Sequence, residues 1–162
     1  VIILALDLSS KAGWAVGAHT DARPSLGLWD LASEDGFGRQ GARLGDALGD
    51  AIAVHAPGVV LAEVDVSLHR QNPDRTAYQQ IGMSYFCEVV CFRRGVRFER
   101  RTARQARQAI IGRSHWGEGE TKPAIIKWCN TIDRNLKITD HNVADSYVLW
   151  RYGVHLFGRK AA

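Results

Sequence analysis

Hydrophobic and polar positions alternate along this chain in a way that already divides it into strands and helices. Val1-Ile2-Ile3-Leu4-Ala5-Leu6 is an apolar, β-branched run that ends on Asp7, and the apolar pattern resumes at Gly13-Trp14-Ala15-Val16-Gly17 after the polar stretch Ser9-Ser10-Lys11. That pattern predicts a hairpin, and the turn signal Arg23-Pro24-Ser25 introduces a third short strand over Leu26 to Leu31. From Phe37 to His55, the residues Leu44, Ala47, Leu48, Ala51 and Ile52 recur at three- and four-residue intervals, which predicts an amphipathic helix stopped by Pro57-Gly58. Val59-Val60-Leu61-Ala62 is continuously apolar, as a strand buried on both faces is, and it runs into Glu63. A polar loop over Ser67 to Asp74 leads to a second helix at about Arg75 to Phe92 and a strand-like piece at Gly95 to Phe98. Short helices follow over 102–110 and 121–132, with the glycine-containing loop Gly112 to Gly119 between them. The last helix runs from about Asn142 to Phe157, with Asp140 as its entry cap. Three strands first and helices interspersed afterwards predict an α/β fold: one mixed sheet, its first three strands antiparallel and the later ones parallel, flanked by helices.

The length of 162 residues suits one domain, 1–162, and 46% hydrophobic with 23% charged residues disfavours disorder. The apolar runs are broken by Asp7, Glu63 or Arg93, short of the roughly 18 residues a membrane span needs. The opening run has no basic segment before it and is short for a signal peptide, so the expectation is a soluble, cytoplasmic protein without a membrane partner. Cys87, Cys91 and Cys129 are an odd set and read as reduced thiols. Cys87 and Cys91 lie one helical turn apart, which suits a shared metal or, more simply, two small buried groups on one helix face.

Charge changes the picture only once it is located. The formal net charge is +4, but Arg93, Arg94, Arg97, Arg100, Arg101, Arg104, Arg107 and Arg113 face only Glu99 between residues 93 and 113. That stretch therefore carries +7 and the rest of the chain −3. Arginine forms paired bonds to phosphate, and a polyanion is the partner such a stretch suits. A solvated helix face is the competing explanation.

Three acids stand out by position. Asp7 and Glu63 each end an apolar strand, and Asp145 lies in the first turns of the last helix. Strand ends in an open α/β sheet converge on one rim, where a helix start can add a third carboxylate. Carboxylates gathered there repel one another unless a cation joins them, and oxygen ligands suit Mg²⁺ or Mn²⁺. Two such ions about 4 Å apart stabilise both the attacking and the leaving oxygen in phosphodiester displacement. Each acid alone has an ordinary explanation, as a cap, an ion-pair partner or an exposed helix residue.

Three stretches carry a resemblance as well. Leu6-Asp7-Leu8-Ser9-Ser10-Lys11-Ala12-Gly13-Trp14-Ala15 resembles the opening strand and turn of the RuvC-type Holliday-junction resolvases. Val60-Leu61-Ala62-Glu63 is similar to their central acidic strand, and Asp140-His141-Asn142-Val143-Ala144-Asp145-Ser146 to their C-terminal acidic helix. Gly112 through Lys122 resembles their loop leading to a lysine before the penultimate helix. The likeness spans nearly the whole chain and is greatest to a compact bacteriophage or bacterial-accessory branch. It implies a ribonuclease H-like fold, a homodimer, Mg²⁺ or Mn²⁺, and symmetric nicking of four-way DNA junctions.

By that resemblance Asp7, Glu63 and Asp145 are metal ligands, Asp140 is the fourth, and His141 or Asn142 substitutes for it. Where the family has a second acid, or a histidine, three residues before the last, this chain has Asn142, which offers an amide oxygen and no charge. Asp65 shares the face of Glu63 if the strand continues and is a secondary candidate. Lys122 would stand near the scissile phosphate and offset transition-state charge. DNA contacts fall to His69, Arg70, Gln71 and Asn72 in the loop after the acidic strand, and to Arg100, Arg101, Arg104, Arg107 and Arg113. Val66 and Leu68 stand where the family can carry an aromatic wedge, so phosphate contacts should dominate. On the helix at 75–92, Tyr78, Ile81, Tyr85 and Val89 make one stripe and Phe86 and Val90 another, one to face the sheet and one to face a second subunit. The function expected is a metal-dependent, structure-selective DNA endonuclease. A weak or inactive branched-DNA-binding protein of the same fold is the alternative, which Asn142 favours, and a nucleotide-binding fragment of the actin-like superfamily ranks below both.

Overall fold

A computed structural model describes residues 1–32, 36–64 and 75–158, and the side chains of the second helix from Tyr78 onward. The elements follow the order β1 (Ile2–Asp7), β2 (Lys11–Ala18), β3 (Ser25–Asp30), α1 (Phe37–His55), β4 (Val59–Glu63), α2 (Arg75–Arg93), β5 (Arg97–Arg101), α3 (Ala103–Ile111), α4 (Thr121–Ile132) and α5 (His141–Gly158). The five strands form one sheet in the order β3-β2-β1-β4-β5. β1, β2 and β3 pair antiparallel, while β4 and β5 run parallel to β1, so the sheet is mixed in the way the hydrophobic pattern predicts.

Strand side chains alternate between the two faces, and the two faces bury two different cores. Ile3, Ala5, Ala15, Val59 and Leu61 pack against Tyr147, Val148 and Trp150 of α5 and against Ile125 and Cys129 of α4. Leu4, Leu6, Val16, Val60 and Ala62 pack against Leu44, Leu48 and Ile52 of α1 and Met83, Cys87 and Cys91 of α2. The apolar spacing read from α1 thus identifies its sheet-facing side. On α2 the structure differs from expectation: the stripe buried on the sheet is Met83, Cys87 and Cys91, while Tyr78, Tyr85, Val89 and Phe92 are exposed. Phe86 instead lies over Gly41 and Gly45 of α1. Two thiols and a methionine are small or flexible enough to let α2 approach the sheet, which is why the bulkier aromatics are left outside.

The cysteines are free and buried, and burial pushes the thiols of Cys91 and Cys129 up to about 12. They behave as small hydrophobes, the simpler of the two readings. No helix among the described residues is long and apolar enough to cross a membrane.

The carboxyl end of β1 is fixed by an unusually close approach. A Cβ placed on Gly13 of β2 would lie 2.1 Å from the carbonyl oxygen of Asn142, so only glycine lets the start of α5 rest directly on the strand. Asn142 Nδ2 donates to the carbonyl oxygen of Lys11 at 2.8 Å and fastens the same junction. Asp140 Oδ1 accepts from the backbone N–H of Asn142 at 2.8 Å and of Val143 at 3.3 Å, the cap expected for this helix.

Candidate active site

The rim above the carboxyl ends of β1 and β4 collects the acids. Asp7 and Glu63 are register partners in the parallel pair. Both share parity with the residues that face α5, Ile3 and Ala5 on β1 and Val59 and Leu61 on β4, so both rise from the α5 side of the sheet. The first turns of α5, held against β2 through Gly13, bring Asp145 to the same place.

Asp7 is 8% exposed and Asp145 7%. Burial, reinforced by the neighbouring carboxylates of Asp145 and then Asp140, lifts Asp7 from 3.8 to about 7, against the pull of Arg107 and Lys122. Asp145 is also raised, chiefly by burial, with Arg107, His141 and Lys122 acting in the opposite direction. A buried carboxyl poised near neutrality beside a second buried acid is a costly arrangement, of the kind that clusters at functional sites.

Part of that cost is offset by Arg107. Its Nη2 and Nε donate to Asp145 Oδ1 at 2.8 and 3.1 Å, an ion pair that is largely out of solvent. The charged run suggests DNA as the partner of Arg107 and carries no local sign of this bond. The partners are 38 residues apart, and only the packing of α3 on α5 joins them.

Around this centre, Lys122 Nζ at the start of α4 lies 3.0 Å from His141 Nε2 on α5, and Lys122 bears on the charge of both Asp7 and Asp145. Asp140 is half-buried and committed through Oδ1 to the helix start. Asn142 is buried and committed through Nδ2 to β2.

The arginines divide into two groups. Arg100 projects from the opposite face of β5, where its Nε and Nη2 donate at 2.6 Å to Ser84 Oγ and Glu88 Oε2, with its guanidinium over the Tyr85 and Phe98 rings. Arg97 and Arg101 pair with Glu99. Arg104 is exposed on α3, and Arg113 donates to the carbonyl oxygen of His115 at 2.8 Å while its guanidinium covers the Trp116 ring. Arg104, Arg107, Ser114 and His115 line an open hollow of about 430 Å³ next to the Arg107–Asp145 pair. His69, Arg70, Gln71, Asn72 and Asp65 lie outside the described residues.

The donor chemistry fits a hard divalent cation, since Asp7, Asp145, Glu63 and Asp140 offer carboxylate oxygens and the two buried ones lack the solvent that would otherwise screen them. Among the described residues, however, no three His, Cys, Asp or Glu groups stand close enough to hold one ion in the arrangement seen. The cation bonded to Asp145 is the Arg107 guanidinium.

A mixed five-stranded sheet with three antiparallel strands, two parallel ones and helices on both faces defines a ribonuclease H-like fold. Within that class, the chain superposes on Thermus thermophilus RuvC with a TM-score of 0.71 at 16% identity, covering 99% of this chain and 96% of that one. It superposes on T. thermophilus RuvC in complex with Holliday junction substrate with a TM-score of 0.74 at 14% identity, covering 100% and 96%. No protein-family model matches the sequence, and no curated protein does. The fold implied by the resemblance is therefore the fold observed.

Proposed function

We propose that this chain, as one nuclease domain over 1–162, is a divalent-metal-dependent endonuclease that resolves Holliday junctions or other branched DNA. The observation that carries the reading is the buried pair Asp7 and Asp145 on the carboxyl-end rim, beside a hollow lined by arginines. Asp7, Glu63 and Asp145 would hold Mg²⁺ or Mn²⁺, with Asp140 as a further oxygen donor and His141 or Asn142 as its substitutes. Bound there, the ion would activate water and offset charge on the phosphate under attack.

The protein's own groups supply the rest. The sheet rim and the Gly13–Asn142 contact fix where Asp7 and Asp145 stand, which is the preorganisation that electrostatic catalysis depends on. Lys122, exposed and close enough to bear on both acids, would contact the phosphate from the solvent side. Arg104, Arg107 and Arg113 would hold neighbouring backbone phosphates, and Arg101 at the end of β5 lies on the same face as Glu63. Arg100, bonded to α2, would act by keeping β5 and α2 together.

A four-way junction offers two symmetry-related strands, so a twofold dimer is the assembly that suits it. Tyr78, Tyr85, Val89 and Phe92 leave an apolar side of α2 in water, with Phe92 84% exposed, and support a second copy as its cover. The similarity to a RuvC structure in complex with Holliday junction substrate supports branched DNA as the substrate. The reading as a DNA-binding protein without activity draws on Asn142 and on the bond that ties Asp145 to Arg107.

The deciding experiment measures nicking of a synthetic four-way junction with Mg²⁺ or Mn²⁺ by the native chain and by Asp7→Asn. Metal-dependent cutting by the native chain alone is the expected result. A preparation that binds the junction and never cuts it would leave the binding-only reading in place.

A further inference from the structure

Arg107 occupies two structures at once. It is the ion-pair partner of Asp145, and with Arg104, Ser114 and His115 it lines the 430 Å³ hollow beside α3. The hollow is built by the chain's own geometry. Gly112 takes φ of 80°, the left-handed conformation that ends α3 and turns the backbone. Arg113 then ties back to the carbonyl oxygen of His115 and stacks on Trp116, which holds Ser114 and His115 opposite the helix. Arg104 and Arg107 are three residues apart on one side of α3, so two guanidinium groups, of which Arg107 is paired with Asp145, share one concave wall. Such a wall is relieved by an anion, and a tetrahedral oxyanion matches guanidinium, hydroxyl and imidazole donors together.

We propose that this hollow seats a backbone phosphate of the DNA, and that filling it draws Arg107 away from Asp145 and opens the acid to the divalent cation. The inference rests on the endonuclease reading and adds to it an order of events: anion in the hollow first, cation at the acids second. With Arg107 bonded to Asp145, an incoming cation meets a like charge and a carboxylate whose Oδ1 already accepts two bonds. With Arg107 turned to a phosphate, Asp145 Oδ1 is released from both bonds and the like charge beside it is neutralised, so the carboxylate is open to the cation. Linkage makes the effect reciprocal, so the metal must strengthen anion binding by the same factor. The consequence is a nuclease whose hold on its metal tightens when it is on DNA.

The test is manganese binding by the full chain, read from the loss of the free Mn²⁺ electron paramagnetic resonance signal, with no DNA and no turnover. Sulfate serves as the tetrahedral anion, with chloride at equal ionic strength as control. Sulfate should tighten Mn²⁺ binding by the native protein by about tenfold, within the usual range of coupling between two sites. Arg107→Gln should bind Mn²⁺ about tenfold more tightly than native without any anion and lose the response to sulfate. Arg104→Gln, at an exposed position, should keep native Mn²⁺ affinity in chloride while losing most of the sulfate response. Should Arg107→Gln fail to fold, the native and Arg104→Gln titrations still decide the matter. Measurable Mn²⁺ binding that ignores both sulfate and these substitutions would overturn the coupling and leave the endonuclease reading intact. If no form binds Mn²⁺ with or without anion, both readings fall.

Discussion

Asp7 and Glu63 are register partners at the carboxyl ends of two adjacent parallel strands, and both point to the face that α5 covers. Two carboxylates on neighbouring strands hold an ion between them better than either does alone. Glu63→Gln is accordingly expected to weaken Mn²⁺ binding by tenfold or more, on the order of 1.4 kcal/mol, while leaving affinity for a four-way junction nearly unchanged. Titration of the metal and of fluorescent junction DNA against the same preparation checks both halves.

The raised pKa of Asp7 fixes a direction for stability. A carboxyl lifted from 3.8 to about 7 in the folded chain binds a proton there that the unfolded chain has released. Its contribution is therefore complete below about pH 4 and is lost as pH rises through about 7. Without metal, urea unfolding should show stability falling across that window, by up to about 4 kcal/mol from this group. Asp7→Asn should flatten the fall and leave the protein more stable than native at pH 8. Mn²⁺ affinity should rise over the same interval, because the ion must displace that proton.

The two groups of arginines separate by assay. Arg100→Gln removes bonds to Ser84 and Glu88 and the cover over Tyr85 and Phe98, so it should cost about 1–3 kcal/mol of stability. Arg104→Gln should leave the unfolding curve in place, weaken junction binding and reduce its salt dependence by about one phosphate's share. Equilibrium unfolding and binding at several salt concentrations tell them apart.

Much of this was legible in the sequence, and the reasons are local. Asp7, Glu63 and Asp145 were visible because each interrupts or follows an apolar run whose periodicity fixes its element. The helix cap at Asp140 was visible because capping acts over two or three residues. Which side of α2 faces the sheet was not, because that helix is apolar on several sides and only the space under it selects Met83, Cys87 and Cys91. Nor was the Arg107–Asp145 bond, since it depends on where α3 comes to rest on α5. The charged run suggests a DNA contact for Arg100 and gives no sign that strand alternation turns its side chain to bonds on α2.

Gly13→Ala tests how rigidly the rim is held. Its methyl group would meet the Asn142 carbonyl at 2.1 Å, and the atoms it meets are all backbone, so they cannot step aside as a side chain would. The start of α5 must lift, with an expected loss of about 1–3 kcal/mol and a displaced Asp145. Thermal unfolding reports the first, and a fall in Mn²⁺ affinity the second.

The exposed side of α2 gives the proposed twofold dimer a direct test. Val89→Asp, which sets a charge amid Tyr85, Phe92 and Tyr78, should leave folding unchanged and turn a sedimenting dimer into a monomer. Sedimentation velocity before and after the substitution reads the outcome directly.

β5 is an outer strand of the sheet, and its sequence is Arg97-Phe98-Glu99-Arg100-Arg101. An unpaired strand margin is a template on which copies of a protein can polymerise, and dense charge is a common deterrent. Arg97, Arg100 and Arg101, with Glu99 between them, set dense charge along that margin, the kind of composition that discourages fibrous self-assembly. Replacing them with neutral residues to dissect DNA affinity would, as a side effect, strip that safeguard and invite precipitation.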